Sequence, residues 1–405
     1  MDRVILHCDC NSFFASVEAA LNPIYKDVPM AVCGRTEDRH GIVLAKNELA
    51  KGYGIETAET VYSAKKKCPN LAICDAHYDK YAEYSRRVNL IYQEYTDLVE
   101  PFGIDESWLD VTASQRVFGD GMEIAESIRR RIKEEIGITV SIGVSFNKVF
   151  AKLGSDYKKP DAITEISREN FRDIVYPLPV GDLLFVGRKT AQLFATMGIK
   201  TIGNLAATSK ELLKHKLGKA GETLYNYANG LDESPVEIPV EDDVKSISNG
   251  LTFRHDLISR EECKTGIEFL CDEIGRRLRQ KSLKCVTVAL TIKDVYLRSI
   301  QRQRTLRNAT DITEEIAEAA YGILCDEWAE NKPIRMLTVS VSGLIEAERS
   351  FVQMNLFDTD DELPREKKRK KDEMLDEIRL KFGQGSISTG AIISSDIGVG
   401  ERRKK

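Results

Sequence analysis

VILHCDCNSFFASVEAA, residues 4–20, is the stretch on which the reading of this chain turns. Its apolar run, Val4-Ile5-Leu6, predicts a buried strand that stops at Asp9. Asn11 and Ser12 then offer N-cap side chains, and Phe13 to Leu21 continues with helical spacing, so a helix follows. Asp9 therefore sits where a strand gives way to a helix, the place where sheet enzymes put ligand-binding groups. A buried carboxylate is costly unless a cation or donor meets it. Taken alone, a solvated strand-end Asp that helps to cap the helix is the plainer alternative.

A second acidic stretch, FGIDESWLDV over residues 102–111, reads as two short strand pieces with Asp105 and Glu106 between them. Neighbouring carboxylates repel, a third beside them adds to the repulsion, and oxygen-seeking divalent cations such as Mg²⁺ relieve it. Paired Mg²⁺ ions about 3.5–4 Å apart are a general device for in-line phosphoryl or nucleotidyl transfer. Spacing alone does not say that Asp9 meets Asp105.

The 405 residues, 42% of them hydrophobic, can support more than one packed core. No apolar run approaches the roughly 18 residues of a membrane span, and the first residues do not read as a signal peptide, so a cytoplasmic protein is expected. Nine cysteines without a C-x-x-C pair point to reduced thiols. Cys8 and Cys10 flank Asp9 and are read as facing opposite sides of the strand, which excludes zinc there. The net charge of −5 does not announce a nucleic-acid binder, but ten Lys/Arg against one acid, Asp294, between Arg276 and Arg307 does. Such a cluster repels itself unless a polyanion lies nearby, although a solvated basic face is the simpler alternative.

HCDCNSFFASVE, GIDESWLDVT and SIGVSFNKVFAKLGSDYKKPDAIT, in this order, look like a polymerase palm. Together they resemble the Y-family translesion DNA polymerases, the ImpB/MucB/SamB group, with Gly103 where the family carries serine. Three long ordered matches are far more specific than one short motif. The resemblance implies template-directed, low-fidelity DNA synthesis in repair and the SOS response, by nucleotidyl transfer with two Mg²⁺ ions per active site. It makes Asp9, Asp105 and Glu106 catalytic metal ligands, with the Cys10 carbonyl as a further ligand. Phe13, Phe14, Lys51 and Lys159 would surround the incoming nucleotide, with Phe14 as the steric gate and Phe13 as the competing candidate. Lys148 and Lys152 would lie nearer the palm surface. Lys51 stands for an arginine, keeping the charge but losing bidentate geometry. Glu48 stands for a tyrosine, whose role does not carry over. A non-catalytic DNA- and clamp-binding repair subunit is the alternative, favoured only by loss of a carboxylate. A palm-type nucleotide cyclase has no use for a basic second domain.

The implied fold is an α+β right-hand polymerase. Residues 1–23 and 74–165 would form the palm, 24–73 the small fingers and 166–235 a helical thumb. The thumb's helix-hairpin-helix would grip DNA phosphates through Gly187 and Lys189. Phe185 replaces the hairpin's first glycine, so a purely structural αα-hairpin stays open. A linker spans 236–244. Residues 245–345 read as βαββαβ, a ferredoxin-like split unit, from their pattern alone. This little finger would turn the positive face of its sheet, with Arg298, Arg302 and Arg304, toward DNA. In the tail, 346–405, the peptide QMNLF at 353–357 resembles the one with which bacterial polymerases hold the sliding clamp, through Gln353, Leu356 and Phe357; a disordered linker is the alternative. One helix, Asp372–Phe382, and a mostly disordered end complete the expectation. The implied partners are primer-template DNA, deoxynucleoside triphosphates, the clamp and an accessory SOS subunit; the polymerase itself would be a monomer.

Overall fold

The computed structural model describes residues 3–34, 41–238, 244–349 and 362–399. The clamp-type peptide at 353–357 and most of the expected linker, residues 239–243, therefore lie outside the described residues. The chain divides into two compact units, with the boundary after Val240. Among the described residues no helix is long and apolar enough to cross a membrane.

The first unit begins with strand β1 (Ile5–Cys10), helix α1 (Phe13–Leu21), strands β2 (Met30–Cys33) and β3 (Val43–Lys46), and helices α2 (Glu48–Gly52) and α3 (Val61–Lys67). Strand β4 (Ala72–Asp75), helix α4 (Tyr78–Gln93) and strands β5 (Val99–Pro101) and β6 (Glu106–Asp110) follow. Helices α5 (Gln115–Phe118) and α6 (Gly121–Arg131) lead to strand β7 (Val140–Ser145), helix α7 (Lys148–Tyr157) and strand β8 (Ile163–Ile166). The main sheet has the order β5-β6-β1-β7-β8, so β1 is central and its residues are all buried. A small sheet, β3-β2-β4, carries its own core of Ala31, Val43, Ile55, Val61 and Leu71.

Alternation along β1 sorts the side chains. Cys8 and Cys10 share one face, in the core with Phe13, Tyr81 and Tyr92, which corrects the expectation that they point to opposite sides. His7 and Asp9 take the other face. Gly143 on β7 lets α7 lie close against the sheet, since a Cβ there would run into the Ala151 carbonyl and the Ser155 amide. Helices α8 (Phe171–Val175), α9 (Arg188–Thr196), α10 (Ile202–Ala206), α11 (Lys210–Leu217) and α12 (Lys219–Ala228) form an all-helical end around Phe194, Ile202 and Leu224. The segment after α12 is strapped down rather than free: Val236 is buried against Ile5 and Trp108, and Arg3 donates to the Glu233 and Ser234 carbonyls.

In the second unit, strands β9 (Ser246–Leu257), β10 (Leu283–Lys293), β11 (Ser299–Thr310) and β12 (Ile334–Ser342) and helices α13 (Arg260–Gln280) and α14 (Thr313–Glu327) realise the βαββαβ order. The sheet runs β11-β10-β12-β9, every pair antiparallel. Each crossover helix thus joins two parallel strands split by one antiparallel strand. The tail departs from expectation. Its helix spans Glu362–Phe382, ten residues earlier than read, and the segment beyond it is packed, because Ile392, Ile397 and Val399 are buried in the same core as Phe253 and Leu270. Ion pairs of Arg279 with Asp372 and Asp376, and of Arg379 with Asp272, fasten that helix to α13.

Candidate active site

The register of the main sheet assembles the acids. Asp9 on β1 lies directly opposite Glu106 on β6, and the Cys10 amide donates to the Asp105 carbonyl at 3.0 Å. The two acidic stretches therefore meet at the end of the central strand. With Cys10, Phe13, Lys46, Glu48, Lys51 and Lys159 they line a cavity of about 330 Å³.

Burial raises the Asp9 carboxyl from the usual 3.8 to about 6, although Lys159 lies 2.6 Å away and favours the anion. Burial, followed by the Glu106 charge, also raises Asp105. Glu106 goes the other way: burial opposes its ionisation, but hydrogen bonds from His7 and Lys152 win and hold it at about 2. Three acids at one sheet end are thus divided into two reluctant anions and one firm one. Lys159 is itself raised, because Asp9 and Asp156, both at 2.6 Å, outweigh its burial. The carboxylate donor set is all oxygen, which suits a hard divalent cation. The three carboxylates do not all approach within 4.8 Å of one another; Lys152 holds Glu106 and Lys159 holds Asp9.

Asn11 works as a brace rather than as the expected helix cap. It donates to Ser141 Oγ at 2.8 Å and accepts from the Asp161 amide at 2.8 Å, which ties the Lys159–Asp161 loop to the strand end. Ser12 occupies the N-cap position with φ 48°, makes no capping bond, and donates to Glu48 Oε1 at 3.1 Å. Glu48 also takes Lys51 at 2.6 Å, so the departure at position 48 binds the neighbouring lysine instead of leaving it free.

Three participants escaped the sequence reading. Lys152 is paired with Glu106 inside the site, not near the palm surface. Lys148 is likewise turned inward, bonded to Glu100 at 2.7 Å and lying over the Trp108 ring. His7, fully buried, sets its Nε2 3.2 Å from Glu106 Oε2 and its Nδ1 2.8 Å from Ser155 Oγ. Lys148, Lys152 and Ser155 fall at i, i+4 and i+7 of one helix, and His7 is two residues before Asp9 on a strand, so both periodicities carried the signal.

Of the two aromatic candidates, Phe13 is buried and lines the cavity, whereas Phe14 is half-buried and stacks on Tyr81 at 4.1 Å with Tyr78 edge-on. In the helical end, Gly187 caps α9 and Lys189 is exposed. Phe185 adopts φ 67°, so the left-handed turn that a glycine would supply is kept without the glycine.

The basic strand face is not where it was expected. Ile300 and Leu306 of β11 pack on the core. Arg302 and Arg304 share their parity and so lie on the helix-covered side, paired with Glu327 at 3.1 Å and Asp326 at 2.6 Å of α14. Arg298 folds back on Asp294. The uncovered face pairs Thr291 with Gln301, Ala289 with Gln303, Thr287 with Thr305 and Ser340 with Ser248; it is neutral over this stretch and carries Lys293 at its end, opposite Ser299 and Met336.

The sequence profile of the impB/mucB/samB family matches residues 8–156, that of its C-terminal domain matches residues 244–356, and a DNA polymerase-iota thumb domain profile matches residues 181–232. The DNA polymerase IV of Acetivibrio thermocellus is 48% identical, over 97% of this chain and 98% of its own length. DNA polymerase IV 1 of Bacillus subtilis is 36% identical, over 97% and 94%. Among solved structures, a Y-family DNA polymerase chimera covers 85% of this chain and 99% of its own with a TM-score of 0.76; at 22% identity it speaks to the fold, a right hand with palm, fingers, thumb and little finger.

Proposed function

Since the chain belongs to the impB/mucB/samB family of translesion DNA polymerases, we propose that Asp9, Asp105 and Glu106 are the ligands on which its DNA-directed DNA synthesis depends. The observation that carries this is the register pairing of Asp9 with Glu106, with Asp105 one residue upstream at the same sheet end. A non-catalytic repair subunit would have no need to keep all three acids, and nothing in the fold favours that reading.

The family implies a divalent metal; we assign Mg²⁺, two ions, to the carboxylates and the Cys10 carbonyl. Bound there, such ions would supply activation of the primer 3′-hydroxyl and charge stabilisation of the triphosphate and the leaving pyrophosphate. The chain's own groups do the rest. Lys46, Lys51 and Lys159 line the cavity with positive charge suited to a triphosphate. Asn11 fixes the loop that carries Lys159. Ser155 fixes the His7 ring through Nδ1, His7 sets its Nε2 3.2 Å from Glu106 beneath the sheet end, and the Lys152 ammonium compensates the Glu106 charge. Phe14 is the proposed steric gate, resting on the Tyr81 ring. Gly187 and Lys189 are proposed to meet the DNA backbone, and Gln353, Leu356 and Phe357 the sliding clamp.

Primer extension on intact and damaged templates tests the core of this reading. Asp105→Ala or Glu106→Ala should lower the rate by several orders of magnitude while primer-template affinity stays close to wild type. Near-normal extension by Asp105→Ala would sink the assignment.

A further inference from the structure

Three side chains from different elements, none of them lining the carboxylate cavity, converge on one point. Glu18 of α1, Cys74 of β4 and His77, at the N-cap of α4, each bring one ligand atom to within 4.8 Å of the other two. The geometry points to a site for a thiophilic divalent cation, Zn²⁺ in chemical class, held by the Glu18 carboxylate, the Cys74 thiolate and the His77 imidazole.

Sulfur, nitrogen and oxygen from a small cluster form the donor set that zinc takes and that Mg²⁺ does not, and three protein ligands leave a fourth, open position. Around a tetrahedral zinc the ligand atoms stand roughly 3.5 Å apart. The present cluster therefore needs only small side-chain adjustments, chiefly an opening of the 2.8 Å contact between Glu18 Oε1 and His77 Nδ1. Cys74 and His77 are spaced C-x-x-H across the end of β4, a ligand spacing that a search for C-x-x-C pairs passes over.

Burial is arranged as a metal site requires. Glu18 and Cys74 are buried, while the His77 side chain is 55% exposed, which gives an ion a path from solvent. Glu18 is a carboxylate at 5% exposure whose named partners are an imidazole and a hydroxyl rather than an ammonium or a guanidinium, so a cation would settle its charge. The Tyr81 hydroxyl donates to Glu18 Oε1 at 2.5 Å, an outer contact of the kind that orients a ligating carboxylate. Burial, then the Glu18 charge, pushes the Cys74 thiol up to about 11, so the ion must displace a proton: S–H breaks, sulfur–metal forms, and one proton leaves to solvent. Because Tyr81 also stacks on Phe14, an ion here would stiffen the ring on which that residue rests. The site itself does not depend on the polymerase assignment.

The test is a Co²⁺ titration of the full chain, purified with chelator and held in excess Mg²⁺ so that the all-oxygen site is occupied. Wild type should develop a thiolate-to-cobalt charge-transfer band with tetrahedral visible absorption, saturating at one equivalent. Cys74→Ser should lose the charge-transfer band. His77→Ala, at an exposed position that leaves the fold and primer extension intact, should weaken Co²⁺ binding at least tenfold. Absence of the band in wild type, its survival in Cys74→Ser, or unchanged affinity in His77→Ala would each overturn the site.

Discussion

Replacing Asp9 with asparagine should abolish synthesis and at the same time stabilise the protein. The Asp9 carboxyl is raised from 3.8 to about 6, mainly by burial, even with Lys159 at 2.6 Å. In the unfolded chain it ionises at the lower value. Between these two values the folded state holds a proton that the unfolded state has lost, so stability falls as pH rises through that window. Below about pH 4 both states are protonated and the penalty is absent; above about pH 6 it is fully present. At about 1.4 kcal/mol per pH unit the penalty comes to about 3 kcal/mol. Asparagine has no charge to desolvate. The Lys159 attraction is already counted in that raised value, and Lys159 retains Asp156 at 2.6 Å and is therefore not orphaned. The gain expected for Asp9→Asn is about 3 kcal/mol at pH 7.5, shrinking toward zero near pH 4. Urea unfolding of both proteins in chelator at the two pH values measures it. Added Mg²⁺ should stabilise the wild type at pH 7.5 more than the variant, by mass action on the folded state. A variant less stable than wild type at pH 7.5, or a gain that does not change with pH, would refute the reasoning.

Arg302→Glu with Arg304→Glu should leave the salt dependence of primer-template binding nearly unchanged, because both arginines face the acids of α14; a log–log slope reduced by about two would restore them to the DNA contact. Replacing Gln353, Leu356 and Phe357 together with alanine should abolish clamp binding and leave clamp-free synthesis untouched, since a short peptide relies on its apolar pair and one amide; equal anisotropy titrations for wild type and mutant refute it. Phe14→Ala should raise the ribo-to-deoxyribonucleotide ratio of kcat/KM while much deoxynucleotide activity remains; a ratio that moves only in Phe13→Ala transfers the gate to the ring that lines the cavity.

How far the sequence could be read depended on whether a property is local or set by register. The strand–Asp–helix turn at Asp9 and the βαββαβ order of the second unit are local patterns, and both appear in the fold. That Asp9 faces Glu106 is a pairing across 97 positions, and no local pattern encodes it; only the three-motif resemblance implied it. Lys152 and His7 were legible in principle, from the α7 stripe and the β1 parity, but a buried lysine or histidine is recognisable only once its partner is placed. The tail was misread because Ile392 enters the core from a helix of only five residues, Gly390–Ser394, and Ile397 and Val399 from irregular backbone, which leaves no period to detect.

The basic strand shows the same limit from the opposite side. Ten positive charges between Arg276 and Arg307 suggested a cationic sheet face, yet a count of charges ignores which side of a strand each one takes. Parity settles it. Ile300 and Leu306 are core residues, so Arg302 and Arg304 between them must point the same way, toward α14, where Asp326 and Glu327 meet them. The middle of the face left open is made of Ser, Thr, Gln and Ala, with Lys293 at its end, so most of the side chains there are neutral. Such a face can follow a sugar-phosphate backbone by hydrogen bonds that carry no sequence information. A polymerase that must accept damaged templates has reason to hold DNA in this way: its grip would depend on the shape of the duplex and not on the identity or integrity of the bases.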